Sequence, residues 1–319
     1  MNNPSQGGIR VERKIESFGS SDGKSEVAAY FFETPSADPR AVVQISHGMC
    51  EHLGRYEAFA RYLNDRGIFV CGNDHLGHGL TSGTVGMDGY FADRDGRFYV
   101  LHDLKQMNRL ARERYGDIPV ILLGHSMGSF FARWFACEYP DSLDGLILSG
   151  TGGPSAMIRL GVWLSALLVR LYGPRHVSSF LQHAGMGSYV RRIENPVTEY
   201  DWISRDEQVV RIYAQDPKCT FPFTAGAYHE LLTVHAAVNR RSWARQIRRD
   251  LPIYLFSGDQ DPVGDYGRGV ETVFARLCQA GIEDVTCRIY PGGRHEMLNE
   301  INREQVFEEV ADWCVGHFC

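Results

Sequence analysis

Short apolar runs alternate along most of the chain with longer segments in which apolar residues recur every three or four positions. The short runs are typical of buried parallel strands, and the longer segments of helices that pack against such strands. The predicted central strands are 41–46, 68–73, 118–123, 145–149, 253–257 and 285–290, after antiparallel starting strands within 11–35. The pattern therefore predicts an α/β fold with a mostly parallel central sheet flanked by helices.

The alternation is interrupted between the strands at 145–149 and 253–257. The intervening stretch is far longer than an ordinary crossover between parallel strands requires. We expect residues 152–245 to form a helical cap, inserted into an α/β core that is made of 1–151 and 246–319.

The first helix of the expected cap is predicted over 156–172 and is mostly apolar, with Leu160, Leu164, Leu167 and Leu171 on one face. It is too short and too charged to span a bilayer. Two interpretations stay open. The helix is buried between the cap and the core, or its apolar surface lines an acyl tunnel or contacts a membrane.

One motif points to chemistry. The sequence Gly-His-Ser-Met-Gly at 124–128 follows the apolar run 118–123 and precedes an apolar helical segment. A serine between two glycines on a sharp strand-to-helix turn is held exposed, which is what a hydroxyl nucleophile requires. Ser126 is therefore the candidate nucleophile.

The partners of such a serine are expected later in the chain, the acid first and the histidine second, each after a strand. The loop after 253–257 contains Asp259 and Asp261, and the turn after 285–290 contains His295. We assign Asp261 as the acid and His295 as the base, with Asp259 as the alternative acid. The histidine would take the serine proton, and the carboxylate would fix its tautomer.

Two backbone amides complete the predicted site. In this architecture one oxyanion donor belongs to the residue after the nucleophile and the other to the loop after an early strand. Met127 holds the first position, and Met49, which follows the strand at 41–46, holds the second.

With these residues in place, the chain resembles the monoacylglycerol lipase and lysophospholipase branch of the α/β-hydrolases. The segments that carry the resemblance span most of the chain and are 47–56 (HGMCEHLGRY), 73–79 (NDHLGHG), 124–128 (GHSMG), 201–206 (DWISRD), 258–263 (GDQDPV) and 294–300 (RHEMLNE). The resemblance implies an α/β-hydrolase fold, the site roles given above, and Asp261 rather than Asp259 as the acid. Cys50 departs from the small residue common in the family, and its place beside the oxyanion loop suggests sensitivity to thiol reagents.

The composition limits the classes of partner and the cellular location that we expect for the protein. The chain has 319 residues, a formal charge of −6 and no long basic tract, which argues against a nucleic-acid partner. Eight cysteines without metal spacing, together with the isolated pair His75 and His78, suggest no metal site, and a serine mechanism needs no cofactor. The N-terminal residues lack the features of a signal peptide, so a cytoplasmic location is expected, with peripheral contact at the inner membrane surface as a further option.

The expected function is hydrolysis by water of a lipid-like acyl ester, a monoacylglycerol or a lysophospholipid, through an acyl-enzyme intermediate. A short-chain carboxylesterase, a thioesterase, and an amidase or aminopeptidase use the same machinery and stay open. A non-catalytic ligand-binding protein on a hydrolase fold is the alternative from another class. Headgroup, chain length and oligomeric state are not fixed by the sequence.

Overall fold

The computed structural model describes residues 11–35, 37–185 and 187–319. Eight strands form one sheet in this part of the chain. They are β1 Glu12–Gly19, β2 Glu26–Glu33, β3 Ala41–Ser46, β4 Ile68–Asn73, β5 Val120–His125, β6 Gly145–Ser149, β7 Ile253–Gly258 and β8 Val285–Tyr290.

The sheet has the order β1-β2-β4-β3-β5-β6-β7-β8. β2 pairs antiparallel with both β1 and β4, and the remaining neighbours pair in parallel. The predicted mostly parallel sheet and its antiparallel start are confirmed. β5 begins two residues later than predicted, after Pro119, which has no N–H to contribute to a strand ladder.

Helices cover both faces of the sheet. The helices of the described residues are α1 Glu57–Asn64, α2 Ser82–Val85, α3 Gly96–Tyr115, α4 Met127–Glu138, α5 Ala156–Tyr172, α6 Ser179–Gly185, α7 Glu207–Gln215, α8 Ala225–Ala237, α9 Arg268–Ala280 and α10 Arg303–Phe318. One apolar core lies between the sheet and α1 and α10, and includes Phe59 and Phe307. A second lies on the opposite face with α3, α4 and α9, and includes Leu104, Phe131 and Val273. The carboxyl ends of the central parallel strands are thus held between two packed layers, where loops can carry functional groups.

The segment between β6 and β7 contains α5 to α8. Helix α5 has the predicted bounds and packs chiefly on α8. Its interpretation as a buried helix is wrong, because Leu160, Trp163 and Leu171 are 48%, 61% and 61% exposed. A single packing partner covers one side of a helix and leaves the other apolar residues in contact with solvent. None of the helices in the described residues combines the length and apolarity needed to cross a membrane.

Candidate active site

Ser126 occupies the sharp turn between β5 and α4. Its backbone has φ 51° and ψ −119°, a conformation that a non-glycine residue adopts only when its surroundings impose it. Gly124 and Gly128 permit the turn, because a Cβ at Gly128 would collide with the Ser46 carbonyl and one at Gly124 with the start of α4. The turn leaves Ser126 half-buried at the N-terminus of α4, where the helix dipole favours negative charge.

His295 and Asp261 form a buried hydrogen-bonded pair. The His295 Nδ1–H donates to Asp261 Oδ1 over 2.9 Å. Asp261 also accepts hydrogen bonds from the Ser257 hydroxyl at 2.8 Å and from the Val263 N–H at 2.9 Å. With Nδ1 donating to the carboxylate, Nε2 of His295 is the ring nitrogen that is free to accept a proton.

The charges around this pair favour its ionised forms. Burial raises the pKa of Asp261, but His295 and the hydrogen bonds to the carboxylate outweigh burial and lower the pKa below its ordinary value. Burial lowers the pKa of His295, but Asp261, with Glu296 and Glu51, raises it above its ordinary value. A histidine held in this way is a stronger base than one in water.

The structure brings Asp261, and not the alternative Asp259, to His295. Asp259 instead accepts a hydrogen bond from the Gly292 N–H at 2.8 Å, which closes the turn after β8. Its side chain is occupied in shaping the loop, as aspartates in turns commonly are.

Met49 and Met127 lie beside Ser126 on two different elements. Met127 is the first residue of α4, and Met49 belongs to the loop after β3. Within the described residues, neither backbone N–H donates to another protein group. Amides without a partner beside a serine are suited to bind a negatively charged oxygen.

The loop that carries Met49 is braced from both sides. The N–H of Gly48 donates to a carboxylate oxygen of Glu51, and the Gly48 carbonyl accepts from Nδ1–H of His47 at 2.8 Å. Cys50 has φ 55°, and its carbonyl accepts a 2.8 Å hydrogen bond from the Tyr213 hydroxyl of α7. These bonds fix the direction of the Met49 N–H between them.

The thiol of Cys50 is buried and donates to the Phe221 carbonyl at 3.5 Å. Burial also raises its pKa. The structure does not support the expected sensitivity to thiol reagents, because the thiolate is the reactive form and needs access to the reagent.

The histidines near this loop form a buried cluster of His47, His75 and His78. Burial lowers the pKa of His75 to about 3 and that of His78 to about 4. His47 accepts the backbone N–H of His75 at 2.9 Å. The rings are therefore neutral at physiological pH, and they connect the loops after β3 and β4.

One trio among the described residues places potential metal ligands within 4.8 Å of one another, namely His52, Asp216 and Cys219. In this trio Nδ1 of His52 accepts the Gly54 N–H at 3.2 Å, so Nε2 carries the proton and donates to Asp216 at 3.0 Å. These bonds hold His52 and Asp216 together without an ion.

Four of the five predicted site residues line one cavity of about 720 Å³, namely Met49, Ser126, Met127 and His295. Asp261 lies directly behind His295 and is fully buried. The rest of the wall is mainly apolar and comes from α4, α5, α6 and α8, including Phe130, Ile158, Leu160, Leu164, Phe180, Leu181, Leu231 and Leu232. The cavity has the size and lining of a site for a small molecule with an alkyl portion.

Sequence reasoning assigned no role to Arg55, Glu296 or Trp202. The structure places Arg55 on Glu296 and Trp202 against His295. All three lie in segments noted above, 47–56, 201–206 and 294–300. Motif spacing along the chain carried no signal that these segments touch, because contacts between them depend on the folded sheet.

The fold and the site match known proteins. Residues 37–302 match the family model described as serine aminopeptidase, S33. The chain is 31% identical over 288 residues to a monoacylglycerol lipase of Mycolicibacterium smegmatis, covering 89% of this chain and 91% of that protein. It is 28% identical over 286 residues to a monoglyceride lipase of Mus musculus, covering 89% and 84%.

A solved structure is similar over nearly the whole chain. It is a highly thermostable carboxyl esterase from Bacillus coagulans in complex with glycerol, with a TM-score of 0.91 and 33% sequence identity. The match covers 97% of this chain and 100% of that one.

Proposed function

This chain belongs to the serine aminopeptidase S33 family of α/β-hydrolases, and from that premise we propose that it hydrolyses carboxylic esters of lipid-like acyl chains. The preferred substrate class is a monoacylglycerol, with a lysophospholipid as the second candidate. The observation that carries the proposal is the convergence of Ser126 and the Asp261-bound His295 on one apolar cavity. The similar lipases from a bacterium and a mouse support the same chemistry.

In the proposed reaction Ser126 Oγ bonds to the ester carbonyl carbon, and its proton passes to Nε2 of His295. The ester C–O bond then breaks, and His295 returns the proton to the leaving alcohol oxygen. Water then attacks the carbonyl carbon of the acyl-enzyme and gives a proton to His295. The bond to Ser126 Oγ breaks, His295 returns the proton to Ser126, and free fatty acid leaves. Asp261 stays ionised and stabilises the imidazolium in both halves.

The negative charge of the tetrahedral intermediate is assigned to the Met49 and Met127 amides. Each N–H would donate to the carbonyl oxygen as it becomes an oxyanion, and the N-terminus of α4 adds its dipole. One such donor contributes on the order of 3 kcal/mol to the lowering of the barrier. The bracing of Gly48 and Cys50 would keep the Met49 donor in place before substrate arrives.

The acyl chain is assigned to the part of the cavity lined by α5, α6 and α8. Each buried methylene contributes roughly 0.8 kcal/mol to binding, so a wall of this kind favours medium or long chains over acetate. The helices that supply this wall belong to the proposed cap, residues 152–245, and the catalytic groups to the proposed core, 1–151 and 246–319.

The exposed apolar side of α5 is the proposed contact with a membrane surface. Trp163 and Leu171 of α5, and Phe180 of α6, are each at least 60% exposed. Arg159 and Arg170 belong to the same helix, and cations beside exposed aromatic and aliphatic side chains suit an anionic lipid surface. A lipid ester could then pass from the membrane into the cavity without crossing water. With the expected cytoplasmic location, such a contact would put the site of action at the inner face of the cytoplasmic membrane, and this location is part of the proposal.

The test of the proposal is covalent labelling by a fluorophosphonate, with Ser126→Ala as the control. Label on the wild-type protein and none on the variant is the expected result. A folded wild-type protein that takes up no label would favour a non-catalytic ligand-binding protein. Labelled protein that cleaves thioesters or amides but not oxygen esters would favour a thioesterase or an aminopeptidase.

A further inference from the structure

The indole of Trp202 lies against the ring of His295. The two ring centroids are 5.0 Å apart, and the planes are tilted by 37°. An indole face within about 6 Å of a cation attracts it through the ring quadrupole, and tryptophan does so best among the aromatic side chains. Trp202 is 8% exposed, so little water weakens this attraction.

The backbone of the Trp202 segment is fastened to the backbone of the His295 turn. The His295 N–H donates to the Trp202 carbonyl at 3.4 Å, and the Glu296 N–H donates to the Ile203 carbonyl at 2.7 Å. The Arg294 guanidinium donates to the carbonyls of Asp201 at 2.6 Å and Ser204 at 2.8 Å. These bonds hold the segment 201–204 and the turn at 294–296 as one unit.

The indole itself is also held by other side chains. Tyr189 packs edge-on against Trp202 with the centroids 4.8 Å apart. Trp202 also belongs to a small apolar cluster with Ile203, Val210 and Tyr213. Its orientation over His295 is therefore set by packing before any substrate binds.

The remaining groups that face His295 come from four elements. Asp261 and Glu296 come from the loops after β7 and β8, Glu51 from the loop after β3, and His125 from the end of β5. The three carboxylates favour a charged imidazolium. His125, whose ring centroid is 4.7 Å away, is neutral because burial lowers its pKa. The indole adds to these groups an aromatic surface that also favours positive charge.

We propose that Trp202 is a positioning residue that holds the ring of His295 and stabilises its imidazolium form through a cation–π contact. The inference rests on the proposed function, because the imidazolium appears only if His295 takes the proton of Ser126. It gives a role to the segment DWISRD at 201–206, which lies far from the catalytic groups in sequence. A residue that merely fills the cavity wall would have no effect on the pKa of His295.

The test compares Trp202→Phe and Trp202→Leu with wild-type protein. The pH profile of kcat/KM is measured on a soluble p-nitrophenyl ester, because its acid limb reports the pKa of the base in the free enzyme. We expect Trp202→Leu to lower kcat/KM by roughly 3- to 30-fold and to move the acid limb to lower pH. Trp202→Phe keeps a weaker aromatic face. Its kcat/KM and the pH of its acid limb should therefore lie between those of wild-type protein and Trp202→Leu.

A second readout does not depend on activity. In the Ser126→Ala background, the pKa of His295 is followed by NMR of labelled histidine, and Trp202→Leu should lower it. Trp313→Leu is the matched control, because Trp313 is also 8% exposed but packs on Tyr254 in the core with α1 and α10. This control should leave both the limb and the NMR pKa unchanged.

The outcomes separate the two proposals. Trp202→Leu could lower kcat/KM without moving either the acid limb of the pH profile or the NMR pKa of His295. That result would show that Trp202 only fills space, and it would overturn the inference. Equal pKa shifts in Trp202→Leu and Trp313→Leu would overturn it as well. Wild-type protein without ester turnover or fluorophosphonate labelling would refute the proposed function instead, whatever the NMR titration showed.

Discussion

Arg55 donates two parallel hydrogen bonds to Glu296, of 2.7 and 2.6 Å, although 241 residues separate the two in sequence. The same guanidinium donates to Glu51 at 2.9 Å. Glu51 binds the Gly48 N–H in the loop of Met49, and Glu296 directly follows His295. One cation, whose side chain is 12% exposed, therefore ties the proposed oxyanion loop to the turn that carries the proposed base.

Replacing Arg55 by methionine should damage both stability and catalysis. The change leaves two buried carboxylates unpaired, and breaking a buried ion pair in this way costs about 3–5 kcal/mol in the free energy of unfolding. We expect a loss of that size in urea unfolding and, at a temperature where the variant is folded, a lower kcat on a p-nitrophenyl ester.

Arg61→Met is the matched control for that experiment. Arg61 pairs with Glu57 on the same helix, but its side chain is 53% exposed, and such pairs contribute less than about 1 kcal/mol. Equal losses for Arg55→Met and Arg61→Met would show that the Arg55 link has no special role.

The pH dependence of activity should follow the protonation of His295. Its neutral form accepts the serine proton, so kcat/KM falls as pH drops through the pKa of the ring. Because Asp261, Glu296 and Glu51 raise that pKa, the acid limb should lie above 6.5, the ordinary value of histidine. Glu296→Gln removes one of these charges and should shift the limb to lower pH. A limb that stays in place in that variant would contradict the assigned influence of Glu296.

The exposed side of α5 should bind lipid surfaces. A double variant with Trp163→Ser and Leu171→Ser removes two apolar side chains that do not line the cavity. We expect weaker co-sedimentation with anionic phospholipid vesicles and unchanged hydrolysis of soluble p-nitrophenyl butyrate. Ile15→Ser, at a 45% exposed position on β1, is the control and should bind vesicles as wild-type protein does. Undiminished vesicle binding by the double variant would place the lipid contact elsewhere.

The strands and the family could be predicted from sequence because buried parallel strands leave continuous apolar runs, and because the turns after them carry distinctive residues. The choice of Asp261 over Asp259 followed from the resemblance to the family and not from motif spacing. They lie two residues apart in one loop, and only the folded turn shows that Asp259 bonds to Gly292 while Asp261 faces His295.

The packing of α5 could not be predicted from the sequence for a different reason. Apolar periodicity states which residues share a face but not what covers them, and here α8 covers only part of a nearly all-apolar helix. The contacts of Arg55 with Glu296 and of Trp202 with His295 join segments that are distant in the chain. No local pattern encodes such contacts without a model of the sheet that brings the loops together.

The most direct test of the central claim is the hydrolysis of p-nitrophenyl esters from acetate to palmitate, with 1-monoacylglycerol and lysophosphatidylcholine alongside, by wild-type protein and Ser126→Ala. We expect rates that rise from acetate to longer chains, release of fatty acid from the monoacylglycerol, and a loss of turnover on the order of a million-fold in the variant. Turnover by Ser126→Ala close to that of wild-type protein would contradict the assigned nucleophile. Wild-type activity confined to acetate and butyrate would contradict the lipid-ester assignment and indicate a short-chain esterase.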